Sequence, residues 1–312
     1  MKKMKFFLFK HRLSCLVLSW IVSVLLGSAV RLHAAVDCVT VTTKAPNNPK
    51  VNIWFRVPIS YDIYGKNLHR ILIIFGGRNC SGEGQAAGGL GFGQWADENG
   101  VFLVAPGFRD DDYWRPEKWS GKALFDGIEL IKKKYRVSGK GLMYYGFSGG
   151  AQCSNLFPAW RPETCAAWVS HASGVWHKPG EKTARVPCLV TCGDADTGRY
   201  ILSRRFVDEA RKKGARVIWK SFPNTPHDVP PDSVALAKAF LTYYHKQNQA
   251  DLGGAGAIPG RAPEKTIYIG DDQEGRFWPA DSPQVKRIDP EERVAFPSRE
   301  LALAWGEEAK KL

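Results

Sequence analysis

Short apolar runs alternate along the chain with longer stretches in which apolar residues return every three or four positions. Val51 to Val57 alternates enough for a strand, and Arg70 to Phe75 is a near-continuous β-branched run of the kind a strand carries when both its faces are covered. Val101 to Ala105, the run ending at Phe147, Ala166 to Ser170, Pro187 to Cys192 and Arg216 to Ser221 read the same way. Between them, helical spacing predicts helices near Gln94, over Leu124 to Tyr135, after Ser148 to about Ala159, over Leu202 to Lys213 and over Ser233 to Lys246. Strands alternating with helices call for an α/β fold: a mainly parallel sheet with helices on both faces. Gln247 to Lys265 is rich in Gly, Ala and Pro and reads as a linker. Thr266 to Leu312 then reads as a small α+β module, with strands at Thr266 to Ile269 and Arg293 to Phe296 and a helix capped by Ser298.

Composition changes the picture at one end. Residues 1–35 carry Lys2, Lys3, Lys5, Lys10 and Arg12 ahead of an apolar run from Leu16 to Leu26, then small residues and Ala34-Ala35, which is the layout of a secretory signal. The run is short for a membrane span, so a secreted or periplasmic protein without stable membrane association is expected. The formal charge of +13 includes six positive residues of this leader and falls to +7 without them. That mild excess is spread out and forms no nucleic-acid stripe in the sequence, so it reads as a solvated surface and no nucleic-acid partner is expected. Cys15 leaves with the leader, and the six remaining cysteines, Cys38, Cys80, Cys153, Cys165, Cys188 and Cys192, allow up to three disulfides in an exported chain. Buried free thiols are the alternative. Cys188 and Cys192 cannot pair within one strand, where they would stand about 13 Å apart.

The candidate chemistry sits at the end of the central strand. In Gly146-Phe147-Ser148-Gly149-Gly150 a serine is flanked by glycines in a strand–turn–helix context, and Gly146 and Gly150 are what so sharp a turn demands. A serine hydroxyl needs a neighbouring base and the base needs an orienting acid. Asp196 follows the strand Pro187 to Cys192, and His227 follows the strand Arg216 to Ser221. In a parallel sheet all three loops lie at one carboxyl-terminal edge. Asp194 competes for the acid's place, and His171 and His177 compete for the base's or line the pocket.

With these residues the stretch from Val51 to Lys246 resembles the α/β-hydrolase superfamily, and within it secreted poly(3-hydroxybutyrate) depolymerases and feruloyl and acetylxylan esterases. The resemblance rests on Phe75-Gly76-Gly77-Arg78-Asn79-Cys80 after the third strand, the Asp-led helix Asp126 to Tyr135 and the elbow Gly-Phe-Ser-Gly-Gly-Ala. It implies a serine esterase with Ser148 as nucleophile, His227 as base and Asp196 as its orienter, needing no cofactor and no metal. Its substrate would be an ester, polymeric ones included. An oxyanion hole needs two amides: Gly149 supplies one, and Gly77, with Arg78 next, is the choice for the other. Arg78 could instead hold an acidic group of the substrate. Trp114, Trp119 and Trp176 fall in loops expected to rim the site, and Trp176 with His177 are candidates for substrate contact. A serine peptidase on the same scaffold and a non-catalytic polymer-binding protein remain the alternatives. Lys286 to Glu300 is faintly similar to a zinc-binding module of DNA-alkylation-repair proteins, but the tail has none of that module's cysteines.

Overall fold

The computed structural model describes residues 35–247, 252 and 265–310; the expected leader and most of the Gly-rich linker lie outside them. Eight strands form one sheet in the order β1-β2-β4-β3-β5-β6-β7-β8: β1 (Val36–Ala45), β2 (Asn48–Arg56), β3 (Ile71–Phe75), β4 (Phe102–Pro106), β5 (Leu142–Phe147), β6 (Cys165–His171), β7 (Cys188–Gly193) and β8 (Val217–Phe222). β1 and β2 pair antiparallel, β2 runs against β4, and every later pair is parallel. This is the mainly parallel α/β sheet expected.

The central strands are buried along their whole length, as their unbroken apolar runs require. One face packs Ile53, Phe55, Phe75, Tyr144 and Phe157 into a core with the helices Gly121–Lys132 and Gly149–Trp160. On the other, Leu72, Met143, Val169 and Ile218 meet the helices Phe92–Asn99 and Pro231–Gln247. Helix boundaries fall within a few residues of the expected ones. The exception is Thr197–Lys212, which begins five residues earlier than its apolar spacing suggests because it starts directly from the Asp196 turn.

Strand β1 carries no strong signal in the sequence. It is an edge strand with half of its side chains exposed, held by backbone bonds to β2, so polar residues such as Thr40, Thr42 and Thr43 serve it well. The tail forms a four-stranded sheet in the order β11-β9-β10-β12, with β9 (Tyr268–Asp271), β10 (Arg276–Pro279), β11 (Arg293–Phe296) and β12 (Glu307–Glu308). Ser298 caps the helix Arg299–Trp305 by accepting from the Leu301 amide at 3.2 Å. Phe277, Phe296, Leu301 and Trp305 of the tail share a core with Leu236, Phe240 and Ile218. The Trp305 indole donates to the Trp219 carbonyl of β8 at 2.6 Å, and Arg204 bridges Asp272 and Glu292.

The disulfide expectation is not met. All six cysteines of the described residues are free thiols, with Cys153, Cys165, Cys188 and Cys192 buried among apolar neighbours and Cys38 and Cys80 half-exposed. They behave as small hydrophobes in a core large enough to need no covalent staple.

Candidate active site

Strand register assembles the site. Phe75 of β3 lies opposite Gly146 of β5, Phe147 opposite His171 of β6, His171 opposite Thr191 of β7, and Gly193 opposite Phe222 of β8. The loops that leave these ends therefore open side by side.

Ser148 has φ 57° and ψ −119°, a conformation few non-glycine residues accept, and its amide is held by the His171 carbonyl at 3.0 Å. A Cβ at Gly146 would stand 2.1 Å from the Gly150 carbonyl oxygen, and one at Gly150 only 2.3 Å from those of Phe75 and Gly76. Both positions admit glycine alone. The turn thus lifts the serine hydroxyl off the sheet and starts the helix Gly149–Trp160 directly behind it.

His227 Nδ1 lies 2.6 Å from Asp196 Oδ2 and its Nε2 lies 2.9 Å from Ser148 Oγ. A carboxylate only accepts, so Nδ1 carries the proton, and Nε2 is left to accept from the serine hydroxyl. The Asp196 side chain is 9% exposed while that of His227 is 34% exposed, so the acid is shielded and the base faces solvent. The Arg199 guanidinium reaches the other Asp196 oxygen at 3.4 Å. Asp194 is exposed, and its backbone amide instead donates to Phe222.

The acid and base loops are fastened together. The Ala195 amide donates to the Thr225 carbonyl at 3.1 Å, and a Cβ on Gly193 would fall 2.1 Å from that same oxygen. Phe147 lies under the His227 ring at 4.8 Å between centroids. His171 does not compete as base. Burial pushes its pKa down to about 4, its Nε2 donates to the Asp228 carbonyl at 2.7 Å, and its Nδ1 accepts from the Thr191 hydroxyl. It is a neutral prop that steadies the backbone beside His227.

His177 is also held neutral by burial, at about 4, and its backbone amide donates to the Asn155 side-chain oxygen at 3.0 Å. Trp176 stacks on Phe206 at 4.4 Å. Both are half-buried and pack against Trp168 and Phe206. Asn155, fully buried, donates to the Ala151 and Val175 carbonyls and so ties this segment to the nucleophile's helix. No signal in the sequence distinguished it from a surface polar residue. Of the other tryptophans, Trp119 is buried and donates to the Asp111 carbonyl, and Trp114 is half-buried.

Beside the nucleophile, Gly149 faces the loop after β3. A Cβ on Gly149 would lie 3.1 Å from the Arg78 amide nitrogen, whereas one on Gly77 would meet nothing within 4 Å. The Arg78 backbone thus lies close beside Gly149, while the Arg78 side chain is exposed.

No protein-family profile matches the chain, and no curated protein does. Among solved structures it is similar to a ferulic acid esterase, with 16% identity and a TM-score of 0.56 over 69% of this chain and 98% of that one. A Staphylococcus aureus fluorophosphonate-binding serine hydrolase follows with 13% identity and a TM-score of 0.53, over 68% and 98% of the two chains. An S-formylglutathione hydrolase of Agrobacterium tumefaciens shows 14% identity and a TM-score of 0.51, over 69% and 96%. At such identities the likeness establishes the fold, which is that of the α/β hydrolases.

Proposed function

We propose that the protein is an exported serine hydrolase that cleaves carboxylic esters through an acyl-enzyme. The observation that carries this reading is the unbroken relay from Ser148 through His227 to Asp196 at 2.9 and 2.6 Å, mounted on a strained elbow. His227 Nε2 takes the serine proton as Oγ attacks the ester carbonyl, and Asp196 stabilises the imidazolium so formed. The amides of Gly149 and Arg78 receive the oxyanion. Collapse expels the alcohol, which takes the proton from His227. Water, deprotonated in turn by His227, then releases the acid. These residues complete the cycle with neither metal nor cofactor.

An ester rather than an amide substrate is favoured by the names of most structural neighbours, a ferulic acid esterase and an S-formylglutathione hydrolase among them, against one putative dipeptidyl aminopeptidase. The exposed base suits polymeric esters, either a polyester or an ester on plant polysaccharide. Export rests on the basic and apolar pattern of residues 1–35; in the described residues no helix is long and apolar enough to cross a membrane. The tail, in this reading, is a packing element.

Acetyl, feruloyl and hydroxybutyryl esters, assayed beside casein, test the reading. Turnover of at least one ester is expected, with Ser148→Ala lowering kcat by about 10⁴-fold or more. Peptide cleavage without ester cleavage, or full turnover by Ser148→Ala, would sink it.

A further inference from the structure

Asp196 gives its two carboxylate oxygens to two different partners. Oδ2 accepts from His227 Nδ1 at 2.6 Å, while Oδ1 accepts from Nη1 of the Arg199 guanidinium at 3.4 Å. Asp196 stands at the N-cap of the helix Thr197–Lys212, yet its side chain makes no capping bond, so its orientation rests on the imidazole and on Arg199. Arg199 belongs to the first turn of that helix, and Asp196 is the only acid paired with it among the described residues. Its Nε is buried without a hydrogen-bond partner, beside the loop after β6, where a Cβ on Gly174 would stand 3.9 Å from it. Such an unsatisfied nitrogen costs stability. The guanidinium gains in return an ion pair with an acid only 9% exposed, where solvent screens charge less than at an open surface.

The other groups around the relay bring no positive charge. From β5, Phe147 and Ser148 are neutral. From β6, burial holds His171 neutral at about 4, and from β7, burial pushes the Cys192 thiol up to about 12. Asp194 and Asp228 are exposed acids, and the Asp228 carboxylate accepts from the Val229 amide at 2.7 Å. Among the described residues Arg199 is thus the one cation bonded to the relay.

We infer that Arg199 is a positioning residue for the relay: its guanidinium fixes the Asp196 carboxylate by the oxygen that His227 leaves free, and its charge offsets part of that carboxylate's hold on the imidazolium. A carboxylate beside the ring favours the protonated ring, and a cation beside that carboxylate works against it. His227 must be unprotonated to take the serine proton, so Arg199 keeps the base free at lower pH than Asp196 alone would. Arg199 itself touches no reacting atom. This inference rests on the serine-hydrolase reading and deepens it by a residue outside the relay.

Arg199→Gln and Arg199→Lys test it in the full chain, with kcat and KM measured on an aryl ester across pH. Arg205→Gln, exposed and further along the same helix, is the control. Arg199→Gln should move the acid limb of kcat/KM to higher pH by about half a unit to one unit, which is about three- to tenfold in rate below the limb. Its plateau kcat should fall about threefold, with KM within about twofold, because the carboxylate loses one of two anchors. Arg199→Lys keeps the charge and should leave the limb in place while sharing the plateau loss. Arg205→Gln removes the same charge away from the relay and should change neither. The limb is read within each protein, so a lower folded fraction does not move it. An unmoved limb in Arg199→Gln, an equal shift in Arg199→Lys or Arg205→Gln, or a loss confined to KM would each overturn the inference. No fluorophosphonate labelling of Ser148 in the native protein would sink the hydrolase reading and this inference with it; native labelling with an unmoved limb in Arg199→Gln would sink the inference alone.

Discussion

Asp196 and Asp194 stand two residues apart in one turn, yet only Asp196 reaches the imidazole. An Asn at 196 would offer an amide where His227 needs an acceptor for its Nδ1 proton, and the ring would settle in the wrong tautomer. Asp196→Asn should therefore lower kcat by about 10³- to 10⁴-fold with KM little changed, and Asp194→Asn should keep near-native turnover. Equal losses in the two variants, measured on one aryl ester, would show that the acid has been misassigned. The serine, acid and histidine were legible in the sequence because each follows an apolar run and their order is restrictive. Which loop amide stands beside Gly149 was not legible. That depends on the course of the turn Gly77 to Cys80, where Asn79 takes φ 60° and the Arg78 backbone comes close beside Gly149. His171 was readable as a residue of the right edge, but its role depends on burial, which pattern alone does not give.

The buried parallel strands announce themselves as apolar runs, so β3 to β8 were found within a residue or two. β1 and β10 escaped because a half-exposed strand has no need of a continuous run and takes its stability from its neighbours' backbone. The tail's attachment was likewise out of reach of the sequence, since it depends on partners far apart along the chain, among them one indole meeting a carbonyl 86 residues away. Trp305 is 2% exposed and packs against Gly270 and Phe296 as well. Trp305→Ala should cost about 3–5 kcal/mol, and Trp305→Phe, which keeps an aromatic ring but loses the bond to Trp219, about 1–3 kcal/mol. Urea unfolding measures both. If the tail is a packing element, kcat per folded molecule should hardly move, and a selective loss of kcat at full stability would give the tail a part in the reaction.

Across the whole molecule, burial sets how stability responds to acid. His171, His177 and His245 are each pushed down to about 4, so the unfolded chain takes up protons from pH 6.5 downward that the folded chain refuses. Their contribution is fully present above pH 6.5 and is lost as pH falls towards 4. Asp272 acts in the opposite sense. Burial raises it to about 6 against the pull of Arg204 and Arg211, so the folded chain gains its proton first and is favoured on acidification. Three groups against one leave a net loss, at about 1.4 kcal/mol per pH unit for each uncompensated proton. Unfolding free energy should fall between pH 6.5 and 4.5, and a flat or rising profile would contradict the burial of these imidazoles.

The central claim is that one hydroxyl, raised on its elbow and paired with His227, is the nucleophile. Treating the native chain with a fluorophosphonate and mapping the adduct by peptide mass spectrometry tests it most directly. A single adduct on Ser148, absent in Ser148→Ala and strongly slowed in His227→Ala, is the predicted result; no adduct, or one on another residue with Ser148 unmodified, would contradict it.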